Sequence, residues 1–292
     1  MNFIDRRSRL PHTVFIDHSA SDDDLTLLPT LRYADKIREV RLTLADLTDR
    51  ALEPLALLPK LECLWLESEG FTDKGLESVG RILTLRELRI SWTSINGSGL
   101  THLRGLKHLR KLHLCFGHTA LGAGLEALQE LSALTELSIM GSELEAAVFA
   151  GLGTLAQVEK LDLSNCRAQP EVSGADMIGI RKMTGLRSLE MHASSLAPAI
   201  VPHLATLLAL EDLSLTPPKL SAADVAALNA LCNLRKLSLP YVPDEGIKSL
   251  TALSKLEELS IDTWSLPPAI VAQLMAVAPG LKISYATMNY DK

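Results

Sequence analysis

One short pattern constrains this chain more than anything else. The motif L-x-x-L-x-L, with an aliphatic residue at each fixed position, returns along almost the whole length. It reads Ile37/Val40/Leu42, Leu61/Leu64/Leu66, Leu85/Leu88/Ile90, Leu109/Leu112/Leu114 and Leu134/Leu137/Ile139. It continues as Val158/Leu161/Leu163, Leu186/Leu189/Met191, Leu210/Leu213/Leu215, Leu234/Leu237/Leu239 and Leu256/Leu259/Ile261. Successive copies begin 24, 24, 24, 25, 24, 28, 24, 24 and 22 residues apart. Ten copies at one period require a stack of small equivalent units rather than an ordinary single-core domain. Composition agrees, because 58 of the 292 residues are leucine and only 4% are aromatic. An apolar content of 47% excludes disorder. Degenerate copies at Val14/Ile16 and Leu281/Ile283 are expected to cap the ends, where one face lacks a neighbour.

Elementary geometry turns the motif into a shape. Its last two apolar positions are two residues apart, so both face one side of a short strand. Strands one repeat apart run parallel, because each returns by a crossover. The returns are expected to be helical. Ser221-Ala-Ala-Asp224 reads as a capping box, and Asp49 and Asp244 read as N-caps. Strands pack ~4.8 Å apart and helices ~8–10 Å apart, so the helical side splays and the strands line a concave face.

The pattern resembles the leucine-rich repeat superfamily over residues 11–285, and in particular bacterial stand-alone members with helix-bearing repeats of 24 residues. Segments such as Leu47-Thr-Asp-Arg-Ala-Leu52 and Phe71-Thr-Asp-Lys-Gly-Leu76 carry that likeness. The resemblance implies an α/β curved horseshoe solenoid, with a parallel β-sheet on the concave face and helices on the convex face. The organisation expected is a capping segment at 1–36, about ten repeats over 37–277 and a cap and tail at 278–292, all in one continuous domain. One departure stands out. The family places Asn or Cys five residues after the second leucine, and only Cys166 does so here.

Residues flanking the second leucine point away from the core. Their central column begins Phe15, Arg41, Trp65, Arg89, His113, alternating aromatic rings with cations one strand spacing apart. Trp92 and Phe116 follow two strands at their exits. Trp and Arg dominate binding hot spots. Arg41, Trp65, Arg89, Trp92, His113 and Phe116 are therefore the candidate partner-binding residues. The alternative is a stack that only stiffens the ribbon. Charge is uneven too. Seven Lys or Arg and one acid lie between Arg81 and His118, while Asp162, Glu190, Asp212, Glu258 and Asp262 mark the later strands. A basic-to-acidic dipole is expected. Four extra residues near Arg167–Gly174 predict a longer loop.

Signatures of catalysis are absent from the sequence: it has no phosphate loop, no dinucleotide fingerprint, no H-E-x-x-H and no nucleophile elbow. Gly97-Ser98-Gly99 reads as the start of a convex element. His113, Cys115 and His118 lack a fourth ligand, so no metal and no cofactor are expected. The expected function is a non-enzymatic protein-protein interaction module that binds a protein partner through the concave face. Its variants are an intracellular inhibitor or immunity protein and a secreted effector. Nucleic-acid or phospholigand binding by the basic-aromatic patch is the other class, opposed by a net charge of −6. No membrane span is expected, since the longest apolar stretch, Leu196–Leu210, holds two prolines and a histidine. The N-terminus lacks the apolar core of a cleaved signal, and four scattered cysteines suit the cytoplasm. A monomer or an edge-paired homodimer fits the exposed terminal strands.

Overall fold

Alternation in the motif produces the strands. In Glu39–Thr43, Val40 and Leu42 are fully buried while Glu39, Arg41 and Thr43 are partly exposed, and the same rhythm recurs in most copies; in Glu136–Met140 the outward-column Ser138 is buried as well. The computed structural model describes all residues except 1–11, 17, 44–45, 116–120, 169–171, 193–199, 217–219, 240–241, 262–265 and 286–292, and the side chains of 122, 123 and 168.

Chain contacts divide the protein into two units, Met1–Glu143 and Leu144–Lys292. In the first, six strands pair in chain order: β1 (Thr13–Ile16), β2 (Glu39–Thr43), β3 (Cys63–Glu67), β4 (Glu87–Ser91), β5 (Lys111–Cys115) and β6 (Glu136–Met140). Every pairing is parallel and unshifted, so Leu64 faces Leu88 and Trp65 faces Arg89. The second unit repeats the arrangement with β7 (Lys160–Asp162), β8 (Ser188–Met191), β9 (Asp212–Leu215), β10 (Lys236–Leu239), β11 (Glu258–Ile261) and β12 (Lys282–Tyr285). The sheet is not closed. The degenerate first copy is a full strand, with Val14 and Ile16 buried.

The returns are helical, and many of them are 3₁₀ rather than α. In the first unit, Asp49–Leu57, Ser98–Gly105 and Gly122–Glu130 are 3₁₀-helices, and the α-helices Asp22–Leu25 and Leu76–Val79 are single turns. A 3₁₀-helix is tighter than an α-helix and usually short. That slimness lets returns approach one another closely, as their strands do. A Cβ added to Gly124 would lie 2.0 Å from the carbonyl oxygen of Gly97, so neighbouring returns touch backbone to backbone there. The second unit carries more α-helix, from Ala146–Leu152 to the ten-residue Pro268–Val277.

The capping expectations divide. Ser221 forms its capping box, accepting from the Asp224 amide while the Asp224 carboxylate accepts from the Ser221 amide at 2.9 Å. Asp49 is not an N-cap; Thr48 is, and Pro243 precedes the helix that Asp244 begins. The Asp49 carboxylate reaches the next repeat instead, accepting from the Thr72 amide at 2.8 Å and hydroxyl at 2.6 Å. Asp22 does the same for Thr48, and Asp73 accepts from the Asn96 and Gly99 amides at 3.0 and 2.6 Å. This aspartate ladder ties repeat to repeat in a chain that lacks the usual asparagines. In the second unit Asn229 plays a similar part, joining Ser249, Thr251 and Ala252.

Of the extra residues near Arg167–Gly174, Gln169–Glu171 lie outside the described residues. Beside them, the Ser173 amide and hydroxyl donate to the carboxylate of Asp176, the first residue of the 3₁₀-helix Asp176–Lys182. Among the described residues no helix is long and apolar enough to cross a membrane.

Candidate functional site

Parallel, unshifted pairing places Phe15, Arg41, Trp65, Arg89 and His113 in one row across β1–β5. The row is a stack. The Arg41 guanidinium carbon sits 5.0 Å from the Phe15 ring centroid and 3.6 Å from that of Trp65. Arg89 covers Trp65 at 4.4 Å. Trp65 thus takes a cation from each neighbouring strand, at roughly 0.5–1 kcal/mol per exposed contact. Its indole faces are occupied within the fold.

The cations of this row are neutralised close by. Arg41 Nε donates to Glu39 at 2.6 Å, and Arg89 Nε donates to Glu87 at 2.6 Å. Lys111 pairs with Glu136 at 2.9 Å. Arg81 pairs with Glu77, and Arg104 and Lys107 both approach Glu130 at 3.7 Å. Five of the seven cations between Arg81 and His118 therefore meet a carboxylate in this unit. Four carboxylates thus balance part of the positive charge of this stretch. Cys63 lies among Glu87, Glu39 and Glu62; burial first, then those carboxylates, push its thiol up to about 11.

His113 ends the row, paired in register with Arg89 and Ser138. Burial lowers its pKa from the ordinary value, and Arg89 adds to that. Its Nε2 is buried and has no hydrogen-bond partner among the described residues. No cluster of metal-ligating side chains occurs among the described residues, and His118 and Phe116 lie outside them.

Trp92 behaves differently from Trp65. It is 70% exposed and has φ 52°. The same repeat position, seven residues after the first leucine, holds Gly141 with φ 65° and Asn165 with φ 58°. The strand exit thus turns through the left-handed region in these three repeats. Glycine and asparagine adopt it readily, and a bulky side chain does not. Trp92 lines a groove of about 680 Å³ with Asp46, Leu47, Thr48, Glu67, Ser68, Glu69 and Gly70. Sequence reasoning missed the acidic members of this groove. The left-handed exit did have a signal in the register, where Gly141 and Asn165 hold the repeat position of Trp92.

In the second unit the outward face is ionic as well as acidic. Lys236 pairs with Glu258 at 3.1 Å, and Arg187 with Glu211 at 2.5 Å. His192 Nε2 meets the Ser214 hydroxyl at 2.8 Å. Asp212 lines a hollow of about 460 Å³ with Ser214, Ser238 and Ser260, and burial raises its carboxyl pKa. Asp262 lies outside the described residues.

No protein-family model matches the sequence, and no curated protein does. Solved structures do. The chain is similar to TLR13, solved as a complex named with ssRNA13, at 17% identity over 95% of this chain and 47% of that one, with TM-score 0.51. An internalin, InlF, from Listeria monocytogenes strain 4b F2365 is 18% identical over 87% of this chain and 82% of its own, with TM-score 0.49. Internalin C2 from the same organism is 19% identical over 78% and 80%, with TM-score 0.47. Identity this low speaks to the fold alone.

Proposed function

We propose that this chain, whose repeats and α/β fold resemble those of leucine-rich-repeat proteins, is a non-catalytic binding module whose ligand is another protein. The observation that carries this reading is Trp92: a large ring, mostly solvent-exposed, in a backbone conformation that costs the fold energy. An exposed Trp beside an ordered row of cations and aromatics has the make-up of a binding hot spot. The proposed contact surface is the outward strand face with Arg41, Trp65, Arg89, Trp92, His113 and Phe116. Trp65 and its arginines would act as a rigid, pre-assembled platform, and Trp92 as the free anchor. The four cysteines are all free, which supports a reducing compartment such as the cytoplasm. An inhibitor or immunity role and an effector role use the same surface and differ only in the partner.

The test is affinity capture from native lysate with two baits. One is wild-type protein and the other Trp65→Ala/Arg89→Ala/Trp92→Ala with a matched circular dichroism spectrum. A protein retained by wild type alone, and then bound again in purified form, is the expected result. Equal retention by both baits rejects this surface.

A further inference from the structure

We propose that the groove beside Trp92 receives the guanidinium of an arginine carried on an extended segment of the partner protein; this rests on the binding-module reading above. Three observations converge. The groove is walled by an exposed indole. Among the described residues no cation covers that ring, whereas Trp65 holds a guanidinium at 3.6 Å and another at 4.4 Å. The same groove carries Asp46, Glu67 and Glu69, and among the described residues no ion pair engages them. Four carboxylates on or beside the neighbouring strands, by contrast, are engaged: Glu39 by Arg41, Glu62 by Arg38, Glu87 by Arg89 and Glu136 by Lys111. A hollow of about 680 Å³ has room for a side chain together with its flanking backbone.

Charge complementarity selects the occupant. Tryptophan is the best ring for a cation, and carboxylates at the edge supply hydrogen-bond acceptors. Arginine satisfies both demands at once, because its planar fork stacks on an aromatic face and bonds carboxylate bidentately. Lysine is a strongly hydrated point charge and matches the ring less well. The net charge of −6 favours the approach of a cationic partner from a distance.

The test uses the full-length protein with labelled tryptophan indoles, followed by NMR. The Trp92 signal is assigned by its loss in Trp92→Asn. The probes are capped Gly-Arg-Gly-Arg-Gly and its lysine and citrulline counterparts. The arginine peptide is expected to shift the Trp92 indole saturably. Citrulline, which keeps the shape and loses the charge, should bind about tenfold more weakly or not at all. Glu67→Gln/Glu69→Gln should remove the shift, while Glu257→Gln in the other unit should keep it. No saturable shift, an equal response to citrulline, or a shift that survives the double glutamine variant overturns the proposal. An equal response to lysine overturns the choice of arginine. If the peptides fail while wild-type-only capture holds, the arginine groove falls and the binding module stands. A saturable shift with equal retention by both baits also overturns the proposal, because the variant bait lacks Trp92 and the partner would then not be using this groove.

Discussion

Two tryptophans on the same unit should answer mutation with opposite signs. Trp65 is held between two guanidinium groups, so Trp65→Ala removes both contacts. A loss of roughly 1–2 kcal/mol is expected from those contacts. Trp92 gives the fold little and sits in the left-handed region. Replacing it by asparagine, the residue that the equivalent position 165 already uses, should stabilise the protein by about 1 kcal/mol. Urea unfolding midpoints check both; a lower midpoint for Trp92→Asn rejects the strain argument. His113 provides a pH prediction. Burial and Arg89 depress its pKa, with Lys111 acting the same way and Glu87 and Glu136 opposing. The unfolded chain therefore takes up the proton first, at a pH near the ordinary histidine value of about 6.5. Stability is retained above that value and lost as the pH falls through it toward the depressed folded pKa. The fall in urea midpoint between about pH 7 and pH 5 should be shallower in His113→Asn. An unchanged slope places the proton elsewhere.

At the level of elements, cohesion between repeats in the first unit comes from hydrogen bonds as well as from leucine. Asp73 accepts from two backbone amides of the next repeat, one of them on buried Gly99. Asp73→Ala leaves both donors without that acceptor and should cost about 1–3 kcal/mol, read as a lower unfolding midpoint. Asp73→Asn keeps one acceptor oxygen and should recover part of the loss. Equal midpoints for the alanine variant and wild type would mean that water replaces the carboxylate at no cost. Sequence alone placed Asp49 as an N-cap, because aspartate before a leucine-spaced segment has that local meaning. The structure assigns it a partner one repeat away, which no local pattern encodes. The returns are helical as the spacing predicts, but which kind of helix each adopts is not legible locally. Their amphipathic spacing is similar for α- and 3₁₀-turns, and close backbone approach between neighbours such as Gly97 and Gly124 favours the slimmer form.

For the molecule as a whole, charge pairing decides between partner classes. Cations clustered in sequence between Arg81 and His118 suggested a basic patch, but most of them meet carboxylates of the same unit. Together with a net charge of −6, that leaves little to neutralise a phosphate backbone. A labelled single-stranded oligonucleotide is accordingly expected not to bind at about 50 mM salt. Fluorescence anisotropy would show it, and binding that weakens steeply as salt rises would restore the nucleic-acid reading.

Periodicity was enough to assign the buried aliphatic positions and which residues stand side by side, though Ser138 and Ser164 of the outward columns are buried. A period of two within each strand and a period near 24 between strands recur often enough to leave one register. Thus the row from Phe15 to His113 was legible in the chain itself. What those neighbours do to one another was fixed only by packing in three dimensions. Packing closed Trp65 between two arginines, matched cations to carboxylates, and turned Trp92 outward over an acidic groove. Backbone angles at a strand exit and the choice of an ion-pair partner depend on residues one repeat away in sequence and one strand away in space. A repeat pattern states that such residues are adjacent; the contacts they make depend on the shape and charge of every side chain around them.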